Sequence, residues 1–246
     1  MLKLLIIFLV SASTFLKAEI LSVHCPLGCP DNPIKNDLIF GHLYAMSNNP
    51  ETKFADWVAY EVNPVHYGTS PGRNWKPSPL LDEIETLEED DYKDAHRVIG
   101  ADKGHLAPLA AFAGSRYWPE LNHLGNITPQ YSGLNQGAWK ALEDAIRDAS
   151  TYEKPLFIIT GTLYEKEMPK LPRADELHKI PSGYFKIVYT ERSDAVAFVM
   201  NQDLDRKADY CNSYTTIENV QKRVGFSIKS FIDSTKLLNQ LGCFRQ

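Results

Sequence analysis

The first eighteen residues, MLKLLIIFLVSASTFLKA, decide the conditions under which the rest of the chain folds. Lys3 opens a positive segment, Leu4 to Val10 is an unbroken apolar run, and the small Ala18 precedes Glu19. The run is short for a bilayer span and no polar face interrupts it, so it reads as a secretory signal peptide, residues 1–18, and not as a core helix. Leu16 is larger than the residue usual at its place, which makes Ala18 one of a few neighbouring cut points. Cleavage removes Lys3 and Lys17 and moves the formal charge from −5 to −7. No later stretch holds 18 consecutive apolar residues, so no membrane association is expected after cleavage. The expected location is secreted or periplasmic.

Export puts all four cysteines, Cys25, Cys29, Cys211 and Cys243, in an oxidising compartment. Four cysteines allow three pairings. The most economical joins Cys25 to Cys29 and Cys211 to Cys243. A metal site is the rival, but a C-x-x-x-C with no second close pair lacks zinc-finger spacing.

The chain is 43% hydrophobic and 23% charged, which excludes a disordered or collagenous chain. Lys53–Val62, Leu156–Thr162, Tyr184–Thr190 and Ala195–Asn201 read as strands, the last two joined by a turn near Arg192. Asn63–Leu81 reads as a long loop. Leu134–Ser150 has helical spacing of its apolar residues, and Thr216–Gly225 and Ser230–Leu241 are further candidate helices. Asp82–Asp94 carries eight acids and one lysine, and its default reading is a solvated surface segment. Strands and helices in separate blocks, with no repeat or linker, predict an α+β single domain over residues 19–246.

The chemistry concentrates between Asp102 and Glu143. His105 follows Gly104, which frees the backbone to present a ring suited to general-base work near neutral pH. Asn135 stands near the start of the expected helix. Glu143 follows eight residues on, roughly on the same side. An amide oxygen and a carboxylate there suit a hard divalent cation that keeps most of its waters. Each residue alone has a plainer reading: a structural histidine, a helix N-cap, a solvated glutamate. The combination reverses that balance.

Asp102-Lys103-Gly104-His105, Asn126-Ile-Thr-Pro-Gln130 and Leu134-Asn135-Gln-Gly-Ala-Trp139 with Leu142-Glu143 resemble the DNA/RNA non-specific endonucleases of the ββα-metal type. Cys25-x-x-x-Cys29, Thr52–Ala55 with Trp57–Tyr60, Arg73-Asn74-Trp75-Lys76, Gly161–Glu165, Ile180–Ser182 and Cys211 extend the likeness over essentially the whole mature chain. The resemblance implies a central antiparallel sheet flanked by helices, with a ββα-metal motif at the site. It implies His105 as general base, Arg73 as phosphate contact and charge stabiliser, and Asn126 as a residue that helps position the site. Asn135 would be the direct protein ligand of one Mg²⁺, for which Mn²⁺ is the expected substitute, and Glu143 would hold it through water. Asp102 would support the motif loop, Asn122 would join the set, and the two disulfide pairings above are supported. Lys103 stands where the family commonly has arginine; it keeps the charge and loses the bidentate fork, so a point-charge phosphate contact is expected.

The implied activity is hydrolysis of DNA and RNA to 5′-phosphate ends, with the backbone and not the base edges recognised. A net charge of −7 sits awkwardly with such a partner. Arg73, Lys76, Lys103, Arg116 and Lys140, in or near the motifs, supply local positive charge. The competing readings are a DNA- or RNA-selective nuclease, a catalytically weak nucleic-acid-binding relative, and a disulfide-rich scaffold without chemistry. A homodimer is left open, and no other histidine is assigned to the metal.

Overall fold

The computed structural model describes residues 19–69 and 71–244. The expected leader, residues 1–18, lies outside them. Among the described residues ten strands form: β1 (Asp37–Phe40), β2 (Ala45–Asn49), β3 (Phe54–Val62), β4 (Ala101–His105), β5 (Ile127–Tyr131), β6 (Leu156–Leu163), β7 (Gly183–Tyr189), β8 (Asp194–Asn201), β9 (Tyr214–Thr215) and β10 (Ile232–Asp233). The main sheet runs β1-β2-β3-β6-β7-β8-β10, with β9 also paired to β8. Its pairings are antiparallel except that β10 lies parallel to β8.

Alternation along these strands divides the side chains between two cores. Val58, Tyr60, Ile158, Tyr184 and Val188 enter one, together with Trp139, Leu142 and Ile146. Trp57, Ala59, Phe157, Ile159, Phe185, Ile187 and Tyr189 enter the other, with Ile217 and Val220. The sheet is therefore covered on both faces, which is why every residue of β6 is buried. Such a strand reads as a continuous apolar run because neither face meets water.

Among the described residues five α-helices accompany the sheets: α1 (Ala95–Ile99), α2 (Ser132–Leu134), α3 (Lys140–Ala149), α4 (Ile217–Val224) and α5 (Thr235–Gln240). A π turn, Asn135–Trp139, joins α2 to α3. The expected continuous helix over 134–150 is thus interrupted. Gly137 departs from helical dihedrals there, and a Cβ on it would lie 2.5 Å from the Arg206 carbonyl oxygen. The helix expected over 230–241 is shorter. Ser234 caps it by accepting from the Leu237 N–H, while Ile232 and Asp233 are drawn into the sheet. The disulfides join Cys25 to Cys29 and Cys211 to Cys243, the second tying the C-terminal segment to the turn before β9. Among the described residues no helix is long and apolar enough to cross a membrane.

Candidate active site

Strands β4 and β5 pair antiparallel as a separate two-stranded sheet, with His105 opposite Ile127 and Asp102 opposite Gln130. The chain then passes directly into α2, the π turn and α3, so residues 101–149 hold two strands and a helix in sequence. Gly104 is needed in this hairpin for space. Its φ is not positive, but a Cβ would lie 2.3 Å from Oε1 of the buried Gln130 side chain reaching over from β5.

His105 ends β4. Its Nε2 lies 3.1 Å from Asn122 Oδ1. An amide oxygen only accepts, so Nε2 carries the proton and Nδ1 keeps its lone pair. Burial lowers the imidazole pKa. The Asn122 hydrogen bond opposes this, the Arg73 charge adds to it, and the net value is about 4. The ring is therefore neutral at neutral pH, as a base has to be. Trp75 covers it, with ring centroids 5.3 Å apart. The loop carrying Arg73 and Trp75 is stitched down at Lys76, whose N–H donates to the Asn122 carbonyl (3.2 Å) and whose carbonyl accepts from Leu124 N–H (2.9 Å).

Asn126 is fully buried and spends its amide on backbone. Oδ1 accepts from Ala107 N–H (2.8 Å), and Nδ2 donates to the carbonyls of Ala107 (3.0 Å) and Leu121 (2.9 Å). It fixes the chain on either side of the His105–Asn122 contact. Its amide is thereby committed to holding backbone.

Asp102 gathers four side-chain donors. Oδ1 accepts from Ser132 Oγ (2.8 Å) and His96 Nδ1 (2.8 Å), and Oδ2 from Asn135 Nδ2 (3.0 Å) and Gln136 Nε2 (2.8 Å). Burial works to raise its pKa, but these donors outweigh it and hold the carboxyl below its usual range. With Nδ2 committed, Asn135 has Oδ1 left as an acceptor without a hydrogen-bond partner among the described residues. Asn135 has helical dihedrals, so it is no N-cap.

Glu143 projects from α3 toward the sheet. Its Oε1 accepts from Lys186 Nζ at 3.2 Å. Lys186 is fully buried on β7, 3.3 Å from Tyr60 Oη and 4.1 Å from the centre of the Trp139 ring. Burial raises the Glu143 pKa, and the lysine charge opposes it; burial likewise lowers that of Lys186. An unbonded amide oxygen and a carboxylate with one oxygen engaged are donors of the kind a hard divalent cation takes. Asp91, Asp175 and Glu176 bring carboxylate oxygens within 4.8 Å of one another, but none belongs to the motif set.

The acidic segment is largely solvated, as its default reading has it, with Asp82, Glu83, Glu88, Glu89 and Asp90 exposed, but part of it turns toward the site. Glu89 Oε1 lies 3.2 Å from Lys103 Nζ, and Asp91 is buried, accepting from the Glu88 N–H at 2.6 Å. The run therefore borders the site. Lys140, expected to add positive charge, is paired with Asp144 one helical turn on. His96, Ser132, Gln136, Trp75 and Glu89 join the site through tertiary placement, with no individual signature in the sequence. A lone lysine inside the apolar Tyr184–Tyr189 run was the one available signal for Lys186.

A model of the DNA/RNA non-specific endonuclease family matches residues 26–234. The chain is 42% identical to "Nuclease" of Serratia marcescens over 212 residues, covering 83% of this chain and 79% of that one. It is 26% identical to "Nuclease" of Syncephalastrum racemosum over 227 residues, covering 82% and 70%. The crystal structure of an EndoG/EndoGI complex superposes with a TM-score of 0.69 at 18% identity, over 82% of this chain and 88% of that chain, which is a likeness of fold.

Proposed function

The chain belongs to the DNA/RNA non-specific endonuclease family, and from that premise we propose that it is exported and hydrolyses phosphodiester bonds of both DNA and RNA in a Mg²⁺-dependent reaction at His105. The observation that carries this reading is the imidazole itself. It is neutral, with Nε2 committed to Asn122 and Nδ1 free to accept a proton.

In this reading His105 Nδ1 takes a proton from water, and the oxygen attacks phosphorus. The P–O3′ bond breaks, leaving a 5′-phosphate, and the departing 3′ oxygen takes a proton from solvent. Arg73 and Lys103 bind the phosphate by charge, and neither reads base or sugar, which accommodates both nucleic acids. Asn122 fixes the tautomer of His105, and Asn126 holds the backbone that carries both. Asn135 through Oδ1 would be the direct ligand of Mg²⁺ and Glu143 a ligand through water, with Asp102 fixing the Asn135 amide. When bound, the ion supplies Lewis-acid stabilisation of charge on the phosphoryl and leaving oxygens. Residues 1–18 are read as the export signal, and the two disulfides suit the oxidising compartment to which it leads.

The test is cleavage of supercoiled plasmid and of structured RNA by the mature oxidised protein, with Mg²⁺, with EDTA and as His105→Ala. Metal-dependent loss of both substrates, abolished by the substitution, is the expected result. Loss of one substrate alone would replace the reading with a sugar-selective nuclease. No cleavage by folded protein, with Mn²⁺ also tried, would overturn it.

A further inference from the structure

Lys103 and Glu89 face each other across the edge of the site at 3.2 Å. Their settings differ. The lysine side chain is 21% exposed, and its ammonium lies 5.2 Å from the ring centre of Trp75 and 5.8 Å from that of Tyr92. The glutamate side chain is 53% exposed. Its backbone is anchored, because its carbonyl accepts from Tyr92 N–H at 3.3 Å and the Tyr92 hydroxyl donates to the Ile127 carbonyl at 3.2 Å. The cation is held by its surroundings, and the anion is an exposed side chain on a fixed stem. Beside them runs a groove with Trp75 and Leu124 on its apolar side and Glu83, Glu88, Glu89 and Asp90 among its other lining residues.

We propose that Glu89 occupies the phosphate seat of Lys103 in the free protein, so that a backbone phosphate has to displace it and Glu89 sets the affinity for nucleic acid without touching the reacting atoms. This rests on Lys103 as a phosphate contact in the function proposed above. A carboxylate is a fair stand-in for a phosphate oxygen, since both are anionic acceptors for the same ammonium. Glu89 turns outward at little cost because an exposed ion pair contributes only modestly. Once displaced it stays near the substrate as an uncompensated negative charge, which cancels most of what Lys103 contributes to backbone binding. The effect belongs in Kd and KM, while kcat is governed by groups Glu89 does not reach.

The experiment measures Kd for a single-stranded DNA oligonucleotide by fluorescence anisotropy in EDTA across a salt series, alongside KM and kcat in Mg²⁺. Glu89→Gln is expected to lower Kd and KM about two- to fivefold, the factor an exposed ion pair commands, with kcat within about a factor of two. The slope of log affinity against log salt is expected to steepen by up to about 0.7. Glu83→Gln removes an equal charge from the same groove without the lysine contact and should leave Kd unchanged. In a Lys103→Ala background Glu89→Gln should tighten binding less than it does with Lys103 present. If Lys103→Ala weakens binding but Glu89→Gln does not tighten it, the proposal fails and the phosphate role of Lys103 stands. If Lys103→Ala leaves Kd unchanged, that role fails and the proposal with it. If Glu83→Gln matches Glu89→Gln, the effect is one of general charge and the proposal is overturned.

Discussion

The two faces of the main sheet are built from the same strands and do different work. One face meets α4 and is filled by Trp57, Phe157, Phe185, Ile187 and Tyr189, nearly all hydrocarbon and aromatic surface. The other meets α3 and admits Lys186 beneath Glu143, while the adjoining hairpin buries Asn122, Asn126 and Gln130. Buried polar groups cost stability unless each finds its partner. Several are gathered on the side where His105, Asn135 and Glu143 stand, with Asn122 Nδ2 and the Gln130 amide among those left without a partner, and the opposite side is more apolar although it buries the unpartnered Tyr189 hydroxyl. A sheet covered twice lets one face stabilise and the other hold the proposed site.

The sharpest way to test that division is His105→Ala. General-base loss is expected to reduce turnover by about 10²–10⁴-fold while the melting temperature changes little. Phe185→Ala on the opposite face should do the reverse, costing about 3–5 kcal/mol in denaturant unfolding with turnover per folded molecule retained. If it abolished turnover in folded protein, the two faces would not be separable. Asn126→Ala lies between. It leaves the N–H and C=O of Ala107 and the C=O of Leu121 without their side-chain partner, so about 1–3 kcal/mol of stability and part of the turnover should fall together. A further effect is in pH. His105 has a folded pKa of about 4 against 6.5 for the free side chain, so the unfolded chain binds more protons between those values. Its contribution to stability is full above pH 6.5 and is lost as the pH falls toward 4, and the acid limb of the rate should fall near 4. Urea melts of wild type and His105→Ala should match near neutral pH and part on the acid side, with wild type losing more stability between pH 6.5 and 4.

The strands most legible in the sequence were those with strong local patterns. Lys53–Val62 and Leu156–Thr162 are rich in apolar and aromatic residues, and the structure has strands there to within a residue. Strands β4 and β5 were invisible as strands because Ala-Asp-Lys-Gly-His and Ile-Thr-Pro-Gln-Tyr carry charges, glycine and proline. Their extended form comes from pairing with each other. Likewise β2, Ala-Met-Ser-Asn-Asn, is polar by composition but buried, with Asn48 Nδ2 donating to the Glu85 carbonyl and Ser47 Oγ accepting from Asn36. The proposed reacting set is legible because it lies in motifs. Its supports are not, since His96 meets Asp102 and Lys186 meets Glu143 only through tertiary placement. The orientation of the 82–94 acids was hidden for the same reason.

The strand-strand-helix stretch, residues 101–149, is one uninterrupted length of chain, and of the groups proposed to act on the phosphate only Arg73 arrives from elsewhere. The two histories can therefore run apart. Loops and outer strands are free to drift, lengthen or acquire partners, while a single short cassette is inherited whole, provided that one arginine still reaches it from the side.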